Sequence, residues 1–148
     1  MHRFLAALLL LVAAEGAALA CSCVQAPRDA AQRRAMARDM RAGALALVEV
    51  ELVAPYERPG RGELLRVRRT LAGRAPVTFT VERGGTPSSA SCDVEFSSGQ
   101  RTLILLYPPR GLVDSRGPVY RISASCSTYV LADAAFRAAL LQEWRRRR

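Results

Sequence analysis

The chain reads as a small, mostly β protein in which five or six short strands close a Greek-key barrel, with a short helix before them, one helix after them and a disulfide-stapled N-terminus. Three observations predict this. Short apolar or alternating segments, separated by stretches rich in Gly and Pro, recur along residues 44–125. Helical periodicity is confined to residues 28–41 and 131–144, on either side of them. Four cysteines, an even number, sit at Cys21, Cys23, Cys92 and Cys126, two at the start and two far along the chain.

The beginning is read first because the cysteines depend on it. A basic start (His2, Arg3), an apolar run over residues 4–14 and the small triplet Ala18, Leu19, Ala20 form the three parts of a secretory signal, with cleavage expected before Cys21. The expected organisation is a signal peptide at 1–20 and one domain at 21–148, a size that suits a single core. The apolar run is shorter than the roughly 20 residues a membrane-crossing helix needs, so no transmembrane segment is expected. A cysteine directly after small residues is also what a bacterial lipoprotein signal offers. That alternative anchors the protein to the cell envelope through Cys21, although Ala18 stands where such signals normally carry Leu. Export implies an oxidising compartment, in which four cysteines are most simply two disulfides. Their spacing lacks the paired C-x2-C knuckles of a structural zinc site, and no cofactor is expected.

The net charge of +9 comes entirely from arginine, since the chain has no lysine. Such a charge favours encounters with anionic partners such as envelope polymers or lipid head groups. Nucleic acid is not an expected partner, because no recognised binding motif accompanies the charge.

The elements follow in order. Pro27 and an Ala- and Arg-rich run with Met36 and Met40 four apart, closed by Gly43, predict a helix over 28–41. In residues 43–53, Leu45 and Leu47 alternate with alanine, whereas Val48, Val50 and Leu52 alternate with Glu49 and Glu51. A strand that changes phase near residue 47, through a bulge, is expected there. Pro55, Pro59, Gly60 and Gly62 mark a loop. Strands at 64–71 and 77–82 come next, the second with Val77, Phe79 and Val81 on one face. Residues 92–96 form a short strand and 97–100 a tight turn. Residues 101–107, apolar on both faces, should be the central strand. After a loop to Pro118, residues 119–125 form the last strand and run into Cys126. Phe136, Leu140 and Trp144 then recur every four residues behind a candidate cap at Asp133, which predicts a helix laid on the barrel.

Cys21 and Cys23 are too close in sequence to bridge each other easily. Pairing Cys21 with Cys92 and Cys23 with Cys126, or the crossed arrangement, ties a terminus that would otherwise fray across the barrel. Closing loops of this length is worth up to ~4 kcal/mol in the chain-entropy model.

The C-x-C start, the strand at 44–53 after a short helix, the stretch at 67–85, the stretch at 88–107 around Cys92 and the "ISASCS" run around Cys126 together resemble the netrin-like domain. Within it, the likeness is to the tissue inhibitors of metalloproteinases (TIMPs) and their bacterial TIMP-like relatives. The resemblance covers residues 21 to about 130. It implies an OB-like barrel with Cys21–Cys92 and Cys23–Cys126 bridges. It also implies that the Cys21 α-amino group and carbonyl chelate the catalytic zinc of a partner metalloproteinase while Ser22 enters the specificity pocket, with Cys23 and Val24 beside it. An α-amino group, with a reference pKa of about 8, is partly neutral near neutral pH and can donate to zinc. The chain departs from the animal inhibitors in two ways: it has no cysteines for a third disulfide or a second domain, and Val24, Gln25 and Ala26 stand where those proteins often have a proline-containing ridge.

An enzyme is not expected. The one histidine, His2, leaves with the signal peptide, which removes imidazole-based triads, H-E-x-x-H sites and general bases. Asp93 and Glu95 alternate as a solvent-facing strand would place them. Gly84 and Gly85 make a turn without a phosphate-loop pattern. The four arginines at 145–148 read as a cationic helix end that complements the helix dipole.

Overall fold

The computed structural model describes residues 25–55, 62–81, 94–109, 111, 113–123 and 125–146. Residues 1–20, Cys21, Ser22, Cys23, Val24, Gly84, Gly85, Cys92, Asp93 and the last two arginines lie outside these residues.

Helix α1 (Ala30–Arg41) begins at Asp29, which has extended backbone and accepts from the N–H groups of Ala31 (2.9 Å) and Gln32 (2.8 Å). The helix starts two positions later than the Pro27 signal suggests because a carboxylate satisfies the orphan donors of the first turn, which a proline does not. Strand β1 (Ala46–Ala54) pairs antiparallel with β2 (Glu63–Gly73), which pairs antiparallel with β3 (Thr78–Val81). On its other side β1 pairs antiparallel with β4 (Arg101–Tyr107), the central strand expected from its two apolar faces. A hairpin of β5 (Val113–Asp114) and β6 (Gly117–Ile122) follows, and β6 pairs with β4.

The order is β3-β2-β1-β4-β6-β5, and β3 also pairs in parallel with β6 through Thr80↔Val119 and Val81↔Tyr120. That last pairing closes a barrel of β1, β2, β3, β6 and β4, with β5 as an extra strand beside β6. Two further helices, α2 (Ser125–Ala132) and α3 (Ala134–Arg145), follow.

The barrel is filled by Ala46, Val48, Val50, Leu65, Phe79, Val81, Ile104 and Leu106 from the strands, and by Val94 and Phe96. Phe79 and Tyr120 meet edge to face with centroids 5.7 Å apart, a favourable aromatic geometry. A second cluster lies outside the wall, where Leu47 and Leu105 pack with Ala37, Val130, Leu131, Phe136, Leu140 and Trp144 from the three helices. The stripe of Phe136, Leu140 and Trp144 lies on the barrel as its period of four predicts.

Five expectations change. Val77, expected to share a face with Phe79 and Val81, precedes β3 and is exposed. The phase of β1 does not break at Leu47: residues 46, 48 and 50 face inward throughout, while Leu47 faces outward and is fully buried beneath the helices. Two buried faces, rather than a bulge in β1, produce the apolar run; the register slip beside Leu47 is an extra residue in β2, Leu71. Residues 94–97 form no strand, yet Val94 and Phe96 point inward and Glu95 is exposed. The loop before Pro118 contains the β5–β6 hairpin, in which Asp114 Oδ1 accepts from Arg116 N at 2.6 Å. Finally, β6 ends at Ile122 and two C-terminal helices stand where one was expected. Ser123 ends the strand: its N–H donates to Leu105 O, and its Oγ accepts from Leu105 N, so the ladder is completed without a further strand residue. Asp133 breaks the helical segment by capping α3, accepting from Phe136 N at 2.7 Å.

Gly73 has φ +79°, and a Cβ there would run into the carbonyl oxygen of Leu45; Gly99 has φ +77° with open space around it. Gly99→Ala should therefore lose only the left-handed backbone cost of about 1–2 kcal/mol. Gly73→Ala adds a collision with rigid backbone and should lose distinctly more. Urea midpoints of the two variants test this, and equal shifts would contradict the close packing at Gly73.

Candidate functional site

The helical side of the barrel receives the N-terminal segment. Ala26 packs against the cluster that contains Val130 and Leu131 of α2. Arg33 fixes the approach by donating to the carbonyls of Pro27 (3.2 Å) and Arg28 (2.6 Å). Helix α1 is tied to the wall by the Tyr107 hydroxyl, which donates to Met40 O at 3.0 Å. Burial raises the pKa of that hydroxyl, and the nearby Arg121 guanidinium, 5.8 Å from the ring, opposes the rise. The same end of α1 meets α3, where the Arg41 guanidinium lies 4.4 Å from the Trp144 ring centroid and donates to Ala44 O. A stacked cation of this kind contributes on the order of 1 kcal/mol.

Of the cysteines, only Cys126 falls within the described residues, and it occupies the first turn of α2 rather than the end of a strand. Residues 21–24 and Cys92, with their predicted roles, lie outside them. Glu95 is exposed, as expected of a solvent-facing position, and Asp93 lies outside the described residues. In the cationic tail, Arg146 pairs with the buried Glu143 at 3.1 Å and its N–H caps Gln142 O, so this arginine finishes the helix. Among the described residues, no three His, Cys, Asp or Glu side chains gather as a metal site, and no helix is long and apolar enough to cross a membrane.

A second surface was not legible in the sequence. Past the helices, the outer face of β2, β1 and β4 carries Arg66, Arg68, Arg69 and Arg101 around Glu49 and Glu51. Glu51 pairs with Arg66 (3.5 Å) and Arg68 (3.3 Å), and Glu49 with Arg101 (3.2 Å). Glu49, Val67, Arg68, Arg69 and Arg101 line an open cleft of about 290 Å³. The available signal was three arginines within residues 66–69, but strict alternation would have divided them between the two faces.

Comparison with family models, with curated proteins and with solved structures yields no match. The residues and their geometry therefore carry the functional reading.

The capping carboxyl of Asp29 at the start of α1 is held below the usual carboxylate range, first by the Gln32 N–H, which desolvation opposes, and further by the N–H groups of Ala31 and Ala30 and the Arg33 charge. Because the folded-state pKa is depressed, this contribution is complete above about pH 4, the unfolded value, and is lost as pH falls through the folded one. Asp29→Asn keeps a capping oxygen without a titrating group, so it should flatten the acid limb of the stability curve. Thermal melts from pH 2 to 7 measure it, and parallel acid limbs for the two proteins would contradict the assignment.

Proposed function

We propose that this chain is an exported, disulfide-stapled protein-binding module of the netrin-like, TIMP-like kind, which inhibits a zinc metalloproteinase through its N-terminus. The closed five-stranded barrel, completed by the parallel β3–β6 pairing, supports this reading, because an OB-like Greek key is itself a five-stranded barrel. The observation that carries the reading furthest is the seat of Ala26 against the cluster containing Val130. Position 126 lies one turn before Val130 on the same helix face. Cys23 is three residues before Ala26, within roughly 10 Å of extended chain, and this reading pairs it with Cys126.

With Cys21 bridged to Cys92, Ser22 is held between two staples and the entropy lost on binding is reduced. The Cys21 amine and carbonyl then ligate the partner's zinc in place of its water, Ser22 occupies the specificity pocket, and Cys23 and Val24 form the adjoining edge. The chain itself performs no catalysis in this reading. The +9 charge adds a general attraction to anionic envelope surfaces, screened over about 8 Å at physiological salt.

Adding one alanine ahead of Cys21 tests the mechanism. The extension moves the α-amino group and turns the former amine into an amide, whose delocalised lone pair is a far poorer metal ligand. Against a panel of zinc metalloproteinases, the unextended protein should inhibit a susceptible member and the extended one should not, with the same melting temperature for both. Equal inhibition by the two forms would exclude terminal chelation, and inhibition by neither would exclude the inhibitor reading.

A further inference from the structure

The cleft on the open face of β2, β1 and β4 is built by a defect in the ladder. Val50 pairs with Val67 and Glu49 pairs with Arg69, so Arg68 is an extra residue in β2. A β-bulge re-aims side chains locally. Here it brings both Arg68 and Arg69 to the outer face, where Arg68 reaches Glu51 at 3.3 Å and Arg69 stands opposite Glu49. Arg101 arrives from β4 and holds Glu49 at 3.2 Å. Glu49 and Glu51 thus engage Arg66, Arg68 and Arg101. Arg69 has no hydrogen bond or ion pair among the described residues, although it lines the cleft beside them.

We propose that this cleft docks an acidic segment of a partner protein, with one Asp or Glu side chain of that segment paired with Arg69. A guanidinium presents two parallel N–H groups that match a carboxylate, and Arg69 is the one whose fork is unused. The cleft, at about 290 Å³, is polar and at the lower limit for small-molecule sites, which are mostly apolar; it suits a single side chain. The interleaved glutamates argue against a polyanion without backbone amides, such as a sulfated polysaccharide, because Glu49 and Glu51 interrupt the cationic track and would face it without amide donors. They suit a peptide, whose backbone N–H groups can donate to them. This inference stands apart from the inhibitory terminus, and neither the N-terminus nor a protease enters its test.

Fluorescence anisotropy with labelled hexaglutamate, at physiological salt, measures the interaction on the whole purified protein. Saturable binding is expected. Arg69→Gln should weaken it about tenfold, the usual size of one charge-assisted pair. Arg34→Gln, which removes the same charge from an exposed position on α1, should leave it unchanged. Both side chains are exposed, and unchanged circular dichroism and melting would show that the fold is intact. The absence of saturable binding, or equal weakening by both substitutions, would overturn the site in favour of general charge attraction. An affinity for a sulfated tetrasaccharide that depends on Arg69, without one for hexaglutamate, would overturn the acidic-peptide occupant.

Discussion

The wall made by β1 and β4 is shared by two hydrophobic cores, and the rest of the molecule depends on that sharing. Val48, Val50, Ile104 and Leu106 face into the barrel, while Leu47 and Leu105 face out under the helices, and all six are completely buried. Each such side chain is worth roughly 1.5–3 kcal/mol on burial. A strand buried on both faces must be covered on both, so the barrel cannot be separated from its helical layer without exposing its own wall. The uninterrupted β1–β4 register, from Ala46↔Leu106 to Glu51↔Arg101, keeps the two sets of side chains in phase with the two cores.

Where the cover ends determines where chemistry can occur. Along β1 the outward positions change from Leu47, beneath the helices, to Glu49 and Glu51, which are partly exposed and paired with arginines. One strand thus carries an apolar half that fixes α1, α2 and α3 and a charged half that is free for a partner. Near the covered half, Ala26 packs against the helical cluster that also holds Val130 and Leu131 of α2.

The alternation of Val48, Val50 and Leu52 with glutamates, the two apolar faces at residues 101–107 and the stripe of Phe136, Leu140 and Trp144 were legible in the sequence because one tertiary environment covers the whole of each pattern. Leu47 was misread as a phase change because periodicity cannot distinguish a bulge from burial on the second face. The helix α2 was missed because Ser, Thr, Tyr and Val in residues 125–130 favour strands; the burial of Val130 and Leu131 in the helical cluster, with α2 lying against β4, overrides that preference. The cap at Asp133 could be read because capping is local. The arginine cleft could not, since a bulge in β2 depends on its pairing with β1 and leaves no mark in the period.

The central claim is that the N-terminal pair of cysteines is pinned to two distant parts of the chain, one of them α2, leaving the Cys21 amine free. Peptide mapping of the oxidised mature protein under non-reducing conditions tests it most directly. The account predicts one linked species in which the Cys21–Cys23 peptide is joined to both the Cys92 and the Cys126 peptides, with an unmodified α-amino group. A direct Cys92–Cys126 bridge, or a diacylglyceryl thioether on Cys21, would contradict it.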